Sequence, residues 1–96
     1  MKPSFALDQH RAAIRQIVLE HRACNPRVFG SVLRGKDGEN SDLDLLIEPT
    51  AETSLMDVAK IQVSLERLLG VPVDVLTPAA LPDQFRKTVL EEAVPV

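Results

Sequence analysis

Apolar residues recur at helical spacing near the start of the chain. Leu7, Ile14, Ile17 and Val18 share one side of a segment from Leu7 to Cys24, with Arg11, Arg15, Gln16 and Glu20 opposite. The spacing predicts one helix there, halted by Asn25 and Pro26. The short run Arg27-Val28-Phe29 then reads as a first strand that turns at Gly30. From Asp42 to Glu48 the period shortens to two: Leu43, Leu45 and Ile47 take one face, and Asp42, Asp44, Leu46 and Glu48 the other. Thr53 or Ser54 can cap a long amphipathic helix whose buried stripe would be Leu55, Val58, Ala59, Gln62, Leu65 and Leu69, ended by Gly70. Val71 to Leu76 makes a third strand. Pro82 suits the first turn of a last helix that would carry Phe85, Val89 and Leu90 inward.

The order is helix, strand, turn, strand, helix, strand, helix, which describes an α/β (α+β) fold: a small mixed β-sheet with packed helices. The connection between the second and third strands, roughly twenty residues with a helix inside it, suits a crossover between parallel strands better than a hairpin. Ninety-six residues fit one domain, residues 1–96, with little room for a separate substrate domain. A net charge of −3, with three Phe and neither Tyr nor Trp, argues against a surface that tracks phosphates or stacks bases along a nucleic acid. No stretch is apolar enough for a membrane span, and the lone Cys24 cannot form a disulfide within the chain, so a cytoplasmic location is expected.

The candidate chemistry lies in residues 28–49, VFGSVLRGKDGENSDLDLLIEP, which fit three motifs unequally. Gly30 to Lys36 satisfies most of a P-loop, but Asp37 stands where a Ser or Thr hydroxyl is needed, and the residues after it form turns rather than a helix. A calcium loop from Asp37 would need glycine in its sixth place, where Asp42 stands. The third reading treats Asp42 and Asp44 as a pair on one strand face, two carboxylates whose mutual repulsion a hard divalent cation would relieve. Asp74 repeats the logic between Val73 and Val75. If the second and third strands are neighbours, the three acids converge and could hold two magnesium ions about 3.5–4 Å apart. Gly30 and Ser31 lie at the turn just ahead, where a small residue and a hydroxyl suit phosphate oxygens.

Gly30-Ser31, ten residues, then Asp42-Leu43-Asp44 resembles the signature of the DNA polymerase β-like nucleotidyltransferases, and Asp74 is similar to their third carboxylate. Arg34 and Ser41 also stand where small members of that family place such residues, although Leu33 replaces the alanine common before the arginine. The chain's size resembles the minimal nucleotidyltransferases, single catalytic domains encoded beside a HEPN-domain partner as antitoxin and toxin. The resemblance implies transfer of AMP from ATP to a hydroxyl, a tyrosine of the HEPN ribonuclease toxin being the expected acceptor. It implies Asp42, Asp44 and Asp74 as ligands of two Mg2+ ions, with Gly30, Ser31, Arg34 and Ser41 around the nucleotide. It also implies that the partner or a second copy, in a hetero-oligomer or homodimer, supplies the other wall of the cleft. The rival from another class is an antitoxin that blocks its partner by binding alone. Structural readings remain for Arg34, which could pair with Glu39 or Asp37, and for His10 and His21, which lack ligand-spaced neighbours.

Overall fold

The computed structural model describes residues 1–96. Two short helices, α1 (Pro3–Gln9) and α2 (Arg11–Glu20), open the chain in place of the single helix that the spacing predicts. His10 leaves the helical region at φ −129° and ψ 22°, and this corner lets Ala6 and Leu7 of α1 and Ile14 and Val18 of α2 all reach one core. The first strand, β1 (Ala23–Phe29), begins four residues earlier than expected. Asn25 and Pro26 bend that strand rather than separate it from the helix: Asn25 adopts φ 51°, and the register against the next strand shifts between Cys24 and Arg27. The turn after it winds into a single helical turn, α3 (Gly30–Leu33).

The period-two segment becomes β2 (Leu43–Pro49), and the capped amphipathic segment becomes α4 (Leu55–Leu69). Ser54 is its cap. The Ser54 hydroxyl accepts the Asp57 amide at 3.1 Å, and the Asp57 carboxylate accepts the Ser54 amide at 2.9 Å, so two otherwise unpaired donors are satisfied reciprocally. Gly70 ends the helix in the left-handed conformation, φ 69°. The buried residues of α4 are Asp57, Ile61, Leu65 and Leu69: Leu65 and Leu69 are buried as expected and Val58 packs half-buried against the core, whereas Asp57 and Ile61 join the stripe and Leu55, 91% exposed, and Ala59 leave it. Burying the capping carboxylate, which also meets Arg22 at 3.1 Å, rotates Leu55 out to solvent.

The chain continues through β3 (Val73–Leu76), a 3-10 turn (Pro78–Ala80), α5 (Asp83–Glu92) and a two-residue strand, β4 (Val94–Pro95). The sheet order is β3-β2-β1-β4, with β2 and β3 parallel and the other pairs antiparallel, so the sheet is mixed and α4 is the crossover. One face carries Val28, Leu43, Leu45, Ile47, Val73 and Val75 into the core against Ile14, Val18, Ile61 and Leu65. The expectation for α5 fails: it buries none of its residues, and Phe85 and Leu90 are 57% and 39% exposed. At the β3 edge, Glu66 and Gln62 of α4 accept the outward amides of Val73 and Val75 at 3.1 and 3.3 Å.

Candidate active site

The face of the sheet away from the core is built by the pleat. Residues opposite one another in adjacent strands point the same way, and the register aligns Phe29 of β1, Asp44 of β2 and Asp74 of β3 in one row. Asp42 lies one residue before β2, where the bond from the Leu43 amide to the Pro72 carbonyl, 2.9 Å, fixes the start of the strand. The crossover thus makes Asp44 and Asp74 lateral neighbours although thirty positions separate them in sequence.

Asp42 and Asp74 are exposed, and Asp44 is half-buried. Burial pushes the Asp44 carboxyl up to about 6, and the negative charges of Asp74 and Asp42 push in the same direction. No three His, Cys, Asp or Glu side chains close into a ready-made metal cluster, so the acids share a face without collapsing onto one point.

Gly30 joins the turn to the acids. It adopts φ 75°, which favours glycine, and a Cβ there would overlap Asp44 Oδ2 and stand 3.0 Å from Asp44 Cγ. Only a residue without a side chain lets the backbone lie against that carboxylate. Ser31 follows, half-buried, in α3. Arg34, just past α3, is exposed and forms no salt bridge; its two expected alternatives are engaged elsewhere. Glu39 pairs with the N-terminal amine at 2.7 Å, and Asp37 accepts the Ser4 amide at 2.9 Å, which holds its carboxyl below the usual range. Ser41 closes the loop, its hydroxyl oxygen accepting the Gly38 amide at 2.8 Å.

Two features escaped the sequence. Arg27 shares the site face and pairs with Glu48 at 2.8 Å; the alternation of β2 placed Glu48 there, but only the register places Arg27. Beside Gly30 and Arg34, α5 and the sheet enclose a cleft of about 270 Å³. Phe85, expected in the core, is part of its wall.

Residues 8–96 match the family model described as a nucleotidyltransferase domain. A Methanocaldococcus jannaschii protein that carries the name of a protein adenylyltransferase is 34% identical over 90 residues, covering 94% of this chain and 97% of that one. The protein adenylyltransferase MntA of Thermococcus cleftensis is 41% identical over 67 residues, 70% of this chain and 68% of its own. A solved structure described as that of a minimal nucleotidyltransferase superposes with a TM-score of 0.86 at 41% identity, covering 97% of this chain and 95% of that chain. A toxin–antitoxin structure with AMP-PNP shares the fold, with a TM-score of 0.73 at 16% identity over 88% of this chain and 69% of that one. The matched family model, the mixed sheet and the glycine turn packed on a row of strand-borne carboxylates agree, and the chain belongs to the nucleotidyltransferase domain family.

Proposed function

We propose that this nucleotidyltransferase is an antitoxin that transfers AMP from ATP to a hydroxyl of its toxin, with a tyrosine of a HEPN-domain ribonuclease as the acceptor. The observation that carries this reading is the close approach of Gly30 to Asp44, with Asp74 beside it in register: a phosphate turn and the acids form one surface. Relatives that carry the name protein adenylyltransferase support the choice of a protein acceptor, and fold neighbours from toxin–antitoxin complexes support the choice of partner.

The acids fit Mg2+. Asp44 is raised by burial and by Asp74 and Asp42, which marks uncompensated negative charge, and carboxylate oxygens are the hard donors that this ion takes. Asp42, Asp44 and Asp74 would hold it, and when bound it neutralises charge on the phosphates and favours attack at the α-phosphorus. Gly30 and Ser31 bind the β- and γ-phosphates through backbone amide and hydroxyl donors. Ser41 borders the same loop, its hydroxyl proton free to donate to the nucleotide. Asp74 takes the proton of the attacking hydroxyl as its oxygen bonds to the α-phosphorus. The bond from that phosphorus to the bridging oxygen breaks, and pyrophosphate leaves past Arg34, an exposed cation beside the turn that forms no salt bridge.

The test is to incubate the protein with ATP, magnesium and the product of the adjacent gene, then weigh that product. We expect an added AMP, lost in the Asp42→Ala/Asp44→Ala variant together with neutralisation of the toxin. An unmodified partner, still inhibited by that variant, would establish occlusion instead.

A further inference from the structure

We propose that the cleft between α5 and the sheet holds the nucleobase of the substrate nucleotide, stacked on Phe85, with Thr88 and Glu92 facing the base edge. This rests on the reading of Gly30 and Ser31 as the phosphate turn. Gly30 and Arg34 line this cleft together with Phe29, which shares a row with Asp44 and Asp74, so a nucleotide anchored at the turn has a recess beside it on the face that bears the acids.

The lining matches a flat heterocycle. Leu76, Leu81 and Val89 supply apolar surface, and two of the three aromatic residues in the chain, Phe29 and Phe85, stand here. Phe85 is 57% exposed on a helix that contributes nothing to the core, so packing within the fold does not explain a large aromatic at this position. A base laid on its ring would cover apolar area and gain stacking. Arg86 fixes where that ring stands: it donates to the carbonyl oxygens of Pro78 at 2.9 Å and Leu81 at 2.7 Å and pairs with Asp83 at 2.6 Å, pinning the first turn of α5 to the preceding 3-10 turn. Polar character is confined to Thr88 and Glu92 on the α5 side, apart from Arg34 at the phosphate end. A carboxylate accepts hydrogen bonds and cannot donate them when ionised, so Glu92 favours a base edge that presents an exocyclic amine, as adenine does, over uracil.

The chain contains no Trp, so Phe85→Trp introduces a single indole as a reporter. With magnesium present and no acceptor protein, ATP should quench that indole, and tripolyphosphate, which carries the anion without a base, should not. By calorimetry, Phe85→Ala should weaken ATP roughly tenfold and leave tripolyphosphate unchanged, a size set by the loss of one stacking partner. Glu92→Gln should narrow the preference for ATP over UTP. If the wild type binds tripolyphosphate as tightly as ATP and neither Phe85 variant responds to the base, the cleft is not the base site while the phosphate turn stands. If the wild type binds neither compound, the phosphate reading falls and takes this one with it.

Discussion

At Asp44, burial and two neighbouring negative charges act in the same direction, and the carboxyl titrates near 6 instead of 3.8. A carboxylate whose folded value is raised binds its proton more tightly in the native state. Its contribution to stability therefore falls as pH rises from about 4 through about 6, and the full penalty is present above that window. Asp44→Asn, measured by denaturant unfolding in EDTA, should stabilise the protein at pH 7 by about 1 to 2 kcal/mol, allowing for the screening that a half-exposed group receives. The gain should shrink as pH falls through about 6 and vanish below about pH 4, where the Asp44 carboxyl is protonated in the folded and unfolded states alike, while AMP transfer is lost at every pH. Unfolding of the variant at pH 7 would instead show that the carboxylate holds the strand. The acids were readable in the sequence because alternation assigns a face to each residue of a strand. Gly30 was readable as a turn, but its contact with Asp44 was not, since that depends on how α3 folds back across the end of β2.

Among the elements, those with strong local signals were legible. In β2 the period of two survives intact, and α4 is bounded by Ser54 and Gly70 as their side-chain chemistry requires. Failures occurred where tertiary contacts override local pattern. The break at His10 leaves the apolar spacing of α1 and α2 almost unchanged, so spacing alone cannot reveal it. Asn25 and Pro26 carry stop signals, yet a bulge absorbs them within β1. In α4, an acid lies at the head of the buried stripe because it serves the cap, which no hydrophobicity scale anticipates. Two substitutions measure that correction: Ile61→Ala should cost about 2 to 5 kcal/mol, and Leu55→Ala, in solvent, should stay within about 0.5 kcal/mol. Thermal unfolding of both variants checks it, and comparable losses would restore the stripe from Leu55. Strand β4, only two residues long, has no period to read.

Across the whole molecule, the sheet separates packing from chemistry. Its core face is closed by α1, α2 and α4, while the face bearing Phe29, Asp44 and Asp74 is flanked by α3 and α5 and carries the candidate site. That division was legible from the parallel crossover; the cleft wall made by α5 was not, because an exposed Phe85 and a buried one give the same helical pattern. The β3 edge shows how assembly is limited. Its outward amides are occupied by Glu66 and Gln62, so the edge offers a second strand few free donors. Removing both side chains in a Gln62→Ala/Glu66→Ala variant should produce concentration-dependent association in sedimentation, absent from the wild type. A variant that stays monomeric at every concentration would show that the edge is protected by something else.

The occupied amides of Val73 and Val75 also constrain how the proposed acceptor could approach Asp74. An extended segment cannot dock there by zippering its backbone onto the sheet, because the donors such a segment would need are already taken. On the proposed reading, an acceptor hydroxyl would then approach from the open face of the sheet that carries Asp44 and Asp74, and recognition would depend on the shape of a folded surface rather than on a linear peptide sequence.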